Sequence, residues 1–287
     1  MLQIVFFIMF VWFNKLAVTL FLHWGISPEI FRIGGFALRY YSLGFMLAFA
    51  ASYMVLLYVL RLEGRPRELP DRLLVYIIAG TLAGARLGHC LFYDWAYYKQ
   101  HFWEMILPFA FPDGRITFTG YQGLASHGGA IGIVLAAALF SYRYRVPLMW
   151  LLDRLALVVP LAGALIRTGN FFNSEIIGLP TNLPWAVVFT RVDMLPRHPA
   201  QLYEALCYLI IFILLWRLYR KHPAPGKLLG WLLTGVFSAR FLLEFVKENQ
   251  VAFENGHLLN MGQVLSIPMI ILGIYFLNFY KRKYGER

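Results

Sequence analysis

The chain alternates long runs of apolar positions with short polar links. A helix needs about 20 predominantly apolar residues to cross the hydrocarbon core of a bilayer. Seven runs approach that length: Leu38–Leu60, Leu73–Tyr93, Leu124–Tyr142, Leu148–Arg167, Ala200–Trp216, Leu228–Val246 and Met261–Tyr280. No internal repeat or low-complexity segment interrupts them. The pattern predicts an all-α polytopic membrane protein of about seven transmembrane helices. Its two longer links, about residues 94–123 and 168–199, are expected to form a small extracytoplasmic head. Residues 37–287 then make a single seven-span domain, preceded by an apolar arm over residues 1–36.

That arm admits more than one reading. Met1 to Phe13 is apolar, and Lys15 precedes a second apolar stretch to Leu22. No basic stretch comes first and no small-x-small site follows, which argues against a cleavable signal peptide. An interfacial helix, an eighth span and an upstream start codon all stay open.

Composition sharpens the membrane reading. Of 287 residues, 60% are hydrophobic and only 14% are charged, against about 25% in a soluble domain. Too few charges remain to solvate a globule of this size, so the bilayer is part of the solvent. The formal net charge of +11 invites nucleic acid as a partner. The Lys and Arg instead fall in short clusters between apolar runs, the pattern of membrane orientation rather than of a basic groove. Fourteen lie in links on one side and eight in links on the other, which places the C-terminus in the cytoplasm. Cys90 and Cys207 sit far apart within apolar runs and suggest neither a disulfide framework nor a metal site.

Some residues do not belong in lipid. Gly80, Gly84 and Gly88 form one glycine face suited to close helix packing. Arg86, Arg154, Arg167 and Arg240 lie within spans or at their ends, where an arginine costs about 2.5–3.5 kcal/mol on insertion scales. Arg154 follows Asp153, and structural pairing or snorkelling explains it. Arg240 has Glu244 at i+4, a spacing that permits pairing.

Three polar clusters gather at the expected outer ends of three spans. Arg167-Thr-Gly-Asn170-Phe-Phe-Asn173-Ser-Glu175, followed by Gly178 and Pro180, is richer in polar groups than a helix cap requires, and a guanidinium with amide donors suits a phosphate. Ser126-His127-Gly128-Gly129 offers an imidazole able to act as general base, with glycines that let a headgroup approach the backbone. Arg197-His198-Pro199-Ala-Gln201-Leu-Tyr203-Glu204 is partly helix initiation, but Glu204 lies one turn inside. Together the clusters imply a shared pocket.

These residues, with several other segments, resemble the prolipoprotein diacylglyceryl transferase family from about Ser27 to Tyr280. The resemblance is carried by seven pieces in order. They are Phe36-Ala-Leu-Arg-Tyr-Tyr41, Gly84-Ala-Arg86 with Leu91-Phe-Tyr93, Ser126-His-Gly-Gly129, and Arg167-Thr-Gly-Asn-Phe-Phe-Asn173 with Glu175. His198-Pro-Ala-Gln-Leu-Tyr-Glu204, Arg240-Phe-Leu-Leu-Glu-Phe245 and Met261-Gly-Gln-Val-Leu-Ser-Ile-Pro-Met269 complete them. Ser42, Ser126, Ile166 and Thr168 depart from the family's usual residues without removing a titratable or cationic member.

The resemblance implies an enzyme of the bacterial cytoplasmic (inner) membrane, acting near its outer face. Its substrates would be phosphatidylglycerol and a prolipoprotein bearing a lipobox cysteine. The family's functional set maps onto Tyr41, His127, Arg167, Asn170, Glu175, Gly178 and Arg240. In that mapping His127, Arg167 and Arg240 are catalytic; Arg167, Asn170, Glu175, Gly178, Tyr41 and Arg240 bind substrate. A thiol of pKa about 8.5 attacks as thiolate, so His127 is the expected base. Arg167 and Arg240 are expected to clamp the phosphate. With no metal-ligand spacing in the chain, the expected reaction needs no cofactor or metal. Two other classes are open on the residues alone. One is a transporter of a small anion, since intramembrane charges also mark substrate paths; the other is an acyltransferase, from the His89-x4-Asp94 match.

Overall fold

The computed structural model describes residues 21–33, 36–107, 109–110, 117–118, 123–248 and 259–278. Residues 1–20 of the apolar arm, Arg115, and residues 279–287 with the basic C-terminal run lie outside the described residues.

Seven long helices occupy the seven apolar runs. They are α1 (Tyr40–Leu62), α2 (Glu68–Phe92), α3 (Ser126–Tyr144), α4 (Leu148–Asn173), α5 (Ala200–Tyr219), α6 (Lys227–Leu243) and α7 (Met261–Asn278). Their ends follow local chemistry. Glu68 and Asp71 stand in the first turn of α2, where the helix dipole favours negative charge. α3 stops at Arg145, which takes a left-handed conformation and returns its N–H to the Ser141 carbonyl. Asn260 and Gln263 cap α7 reciprocally, each side-chain oxygen accepting the other's backbone N–H at 3.0 and 3.1 Å. Six of the described helices are long and apolar enough to cross a membrane. The other is α3, whose 19 residues open on Ser-His-Gly-Gly and close on Ser-Tyr-Arg-Tyr.

The chain divides into two compact units. The first takes the described residues within Met1–Phe49, Pro160–Ile213 and Leu233–Leu272; the second takes those within Ala50–Val159, Leu214–Leu232 and Gly273–Arg287.

In the second unit α2 packs along α3 through small residues. A methyl group on Gly80 would stand 2.6 Å from the Ala136 Cβ, and one on Gly88 2.7 Å from the Gly128 Cα. The glycine face expected on α2 is thus matched by one on α3, and the two backbones touch. Gly128 and Gly129 are both buried against α2, so they serve helix packing rather than headgroup approach. Arg86 is buried and donates to the carbonyls of Glu104 (2.5 Å) and Met105 (3.3 Å), with Tyr98 beneath its guanidinium. It ties down the short helical turns Trp95–Tyr98 and Phe102–Ile106. Arg154 pairs with Glu63 at 2.7 Å, and Glu63 also accepts from Trp150 and Tyr219. Asp153, fully buried, accepts the N–H groups of Gly226 and Leu229 at the start of α6.

The first unit contains short strands that the hydrophobic pattern did not predict. β1 (Leu22–Trp24) and β2 (Glu29–Ile33) precede β3 (Phe36–Arg39), which pairs antiparallel with β2. In the second unit β4 (Phe109–Ala110) pairs with β5 (Thr117–Phe118). Back in the first, β6 (Val187–Phe189) is flanked by β1, parallel, and by β7 (Pro196–Arg197), antiparallel. Phe171, Ile177, Val187 and Phe189 are buried together with Trp24 against them, a small core that fixes this head to the end of α4.

Candidate active site

The helix α4 runs two turns past its expected end at Arg167. Phe171 and Phe172 hold it there, one meeting Trp24 with ring centroids 4.4 Å apart and the other stacked on Tyr40 at 4.6 Å. Arg167, Asn170 and Asn173 then recur every third residue, and therefore share a helix face. The Arg167 guanidinium donates to the Asn170 carbonyl oxygen at 3.3 Å.

After Asn173 the chain folds back. Ser174 and Ile176 both take φ near +57°, a conformation uncommon for any residue with a side chain and strained for a β-branched one. The turn brings the Glu175 N–H to the Asn170 carbonyl and the Glu175 carboxylate onto the amides of Asn170 (3.3 Å) and Asn173 (3.0 Å). Tyr41, in the first turn of α1, reaches the same place. Gly44 and Gly169 face each other where α1 meets α4, and a methyl on Gly44 would stand 3.2 Å from the Leu165 carbonyl. The Tyr41 hydroxyl is hydrogen-bonded by Asn170 and feels the charges of Glu175 and Arg167.

Deeper in, the α5 start supplies the opposing groups. Gln201 and Glu204 are both fully buried and, three residues apart, face the same way. Gln201 donates to the Glu175 carbonyl at 2.7 Å, and Glu204 pairs with the Arg167 Nε at 2.6 Å. Buried charge of this kind persists only where it is paired. Arg240, on α6, acts on the hydroxyl of the buried Tyr208 together with Arg167 and Glu204, and Arg167 also hydrogen-bonds that hydroxyl. Two arginines from different helices thus lie within electrostatic reach of one phenol. The Arg240–Glu244 pairing that the i+4 spacing permits is not made; Glu244 is ion-paired with Lys247 at 2.8 Å.

Gly178 lies between two backbone segments. A side chain on it would collide with His198 and with the Val246 carbonyl, 2.5 and 2.8 Å away. It exchanges a backbone bridge with Lys247 and gives its carbonyl to the buried Arg197 at 3.1 Å. Arg197 in turn grips Asp193 through its Nε and Nη2 atoms, holding that carboxyl below the usual range.

The structure therefore assembles Tyr41, Arg167, Asn170, Glu175, Gly178 and Arg240 in the first unit. His127, exposed in the first turn of α3, belongs to the second. His89 does not pair with Asp94; its ring stacks on Tyr93 and meets Tyr98 edge-on. Among the described residues no group of three His, Cys, Asp or Glu is placed to hold a metal ion.

Two half-buried arginines, an amide face and a phenol within the first unit are motif residues brought together in space, and comparison with known proteins agrees. A family model for prolipoprotein diacylglyceryl transferase matches residues 28–279. The chain belongs to the prolipoprotein diacylglyceryl transferase family. It is 47% identical over 270 residues to the phosphatidylglycerol–prolipoprotein diacylglyceryl transferase of Bacteroides fragilis, covering 93% of this chain and 98% of that one. The Chloroherpeton thalassium enzyme of the same name is 44% identical over 258 residues, covering 88% and 92%. That of Nitrosomonas europaea is 37% identical over 273 residues, covering 92% and 93%. The family match runs through segments of both units.

Sequence reasoning passed over four residues that the structure adds to this site. Arg197, Gln201 and Glu204 stand in a quoted polar cluster, Glu204 marked as lying one turn inside, but are given no role. Lys247 counts only as a charge in a link, and nothing in its spacing distinguishes it. The available signal was Glu204 itself, a carboxylate inside a span that demands a cation.

Proposed function

We propose that the protein transfers the diacylglyceryl group of phosphatidylglycerol to the thiol of the lipobox cysteine of a prolipoprotein, with Arg167 and Arg240 receiving the phosphate. The Arg167 guanidinium held between Glu204 at 2.6 Å and Asn170 at 3.3 Å, with Arg240 in electrostatic reach of the same Tyr208 hydroxyl, is the observation that carries the reading. This arrangement supplies two half-buried cations beside the fully buried Glu204, where electrostatic interactions are stronger than in open water. The relatives are named for both substrates.

In the reaction a sulfur–carbon bond forms as the carbon–oxygen bond to the phosphate breaks. The electron pair leaves on the phosphate oxygen, and glycerol phosphate departs carrying one more negative charge than the ester had. That developing charge is what Arg167 and Arg240 stabilise. The thiol proton passes to a base, a role we assign to the His127 imidazole. Asn170 donates to phosphate or glycerol oxygens, Tyr41 hydrogen-bonds the headgroup, and Glu175 orients the amides that face it. Gly178 keeps the backbone beside them close.

The chain from residue 37 onward works as one catalytic domain of the bacterial cytoplasmic membrane. Its C-terminus faces the cytoplasm and its site the outer face, a reading supported by the asymmetry of Lys and Arg among the links.

The test is the mass of a lipobox peptide incubated with purified protein and phosphatidylglycerol. The wild type is expected to add one diacylglyceryl group. Arg167→Ala and Arg240→Ala are expected to lower the rate by about 10²–10³, the usual cost of removing one group that stabilises developing charge. His127→Ala is expected to lose the reaction at neutral pH. A wild type that binds lipid but adds no mass would overturn the assignment; full activity in His127→Ala would remove only the base.

A further inference from the structure

Lys247 has no role in the reaction as drawn, yet it is one of the most buried cations in the first unit, 4% exposed. Its ammonium lies 3.1 Å from Glu204 Oε1 and 2.8 Å from Glu244 Oε2. Two backbone hydrogen bonds fix its position: the Glu248 N–H reaches the Ile177 carbonyl at 3.2 Å and the Leu179 N–H the Val246 carbonyl at 2.9 Å, which together bridge Lys247 to Gly178. The side chain is thereby carried inward by a short pairing between residues 177–179 and 246–248.

Each carboxylate it holds is also one that can reach an arginine. Glu204 turns its other oxygen to Arg167. Glu244 stands at i+4 from Arg240, the spacing at which the two would pair, but is turned to Lys247, with Gly262 leaving room for its carboxylate. Of these groups Glu204 and Lys247 are buried, while Arg167, Arg240 and Glu244 are half-buried. The two arginines thus keep the solvent-accessible side of the set, where a phosphodiester anion would approach.

We propose that Lys247 is a positioning residue that occupies Glu204 and Glu244 and so keeps the charge of Arg167 and Arg240 available to the phosphate. Without it, Glu244 closes on Arg240, and Glu204 neutralises Arg167 more fully. The inference rests on the reading of those arginines as the phosphate-binding pair.

The experiment measures KM for phosphatidylglycerol and kcat with a lipobox peptide, using full-length protein in mixed vesicles. Lys247→Met is expected to raise KM about tenfold, as expected for one lost charge-assisted contact, with a smaller change in kcat. Lys247→Arg, which keeps the charge, is expected to stay close to wild type. A misfolded fraction lowers apparent kcat but leaves KM alone, so the split separates positioning from stability; Lys247→Gln serves if the methionine variant does not accumulate. Because Lys247 acts partly through Glu204, the effects of Lys247→Met and Glu204→Gln on KM are expected to be less than additive in the double variant. An unchanged KM in Lys247→Met and Lys247→Gln, or full additivity, overturns the proposal. Arg167→Ala distinguishes the two levels. If it raises KM while Lys247→Met does not, only the positioning role falls; if it leaves KM unchanged, the phosphate clamp falls and takes this role with it.

Discussion

Asp193, Arg197 and His198 show how single residues hold the return of the chain into α5. The Arg197 fork on Asp193 keeps that carboxyl well ionised, and burial pushes the His198 imidazole down. Both shifts act in the same direction on stability. Between the lowered folded value of His198 and its ordinary value of about 6.5, the unfolded chain binds a proton that the folded chain does not. Stability of this segment therefore rises with pH across that window, and below it the loss is complete. The Asp193 contribution is full above the ordinary carboxylate value of about 3.9 and disappears as pH falls through its lowered one. Hydrogen exchange over residues 178–198 is expected to quicken as pH drops from 7 to 5, after correction for intrinsic rates. His198→Gln is expected to flatten that change and leave any loss near pH 4 in place. An unaltered profile in the variant would show that the histidine does not carry it. None of this was legible beforehand. The four-residue spacing of Asp193 and Arg197 resembles a helical pair, but the residues lie in a link, and only the fold makes His198 partly buried.

At the scale of elements, the apolar runs read true because lipid permits so few alternatives: the backbone must satisfy itself within each segment. The strands of the head were not legible, since β1, β6 and β7 have two or three residues each and show no alternation. The true end of α4 was missed for a related reason. Thr168, Gly169, Asn170 and Asn173 look like a cap, and the aromatic contacts of Phe171 and Phe172 that extend the helix are tertiary. The glycine face of α2 was legible as a packing surface, and its partner defines a test. Gly88→Ala puts a methyl against the Gly128 Cα, backbone that cannot yield, and is expected to cost about 1–3 kcal/mol through overpacking. Gly235→Ala meets only Ile211 side-chain atoms, at 3.5 Å or more, and is expected to be neutral or to gain up to about 1 kcal/mol from helix propensity. Thermal melts in detergent compare the two; equal losses would mean that the α2–α3 contact is looser than the backbones indicate.

For the molecule as a whole, the question is how many times the chain crosses the bilayer. Six of the described helices qualify on length and hydropathy, but the contacts within the second unit require α3 as well. Glu63 after α1, Trp150 and Arg154 near the start of α4, and Tyr219 at the end of α5 meet through their side chains. These three helix ends therefore share one membrane side. Tyr53 of α1 donates to Asp71 at the start of α2, so α2 leaves from that same side and ends on the other. The chain must return before α4 begins, and α3 is the long helix between them. Its pairing with α2 runs antiparallel, Gly80 against Ala136 and Gly88 against Gly128. Nineteen residues at about 1.5 Å each give a length close to the hydrocarbon thickness of about 30 Å. The polar ends that lower its hydropathy then lie at the two interfaces, where they cost little. We infer that α3 is a seventh crossing. An impermeant maleimide applied to intact spheroplasts is expected to label Leu124→Cys and to label Arg143→Cys only after permeabilisation, in a background lacking Cys90 and Cys207. Both positions are exposed, so labelling reports sidedness rather than burial. Equal labelling of the two from outside would put both ends of α3 on one side. The charge asymmetry and the Glu63 contacts could not then both hold for a chain inserted in a bilayer.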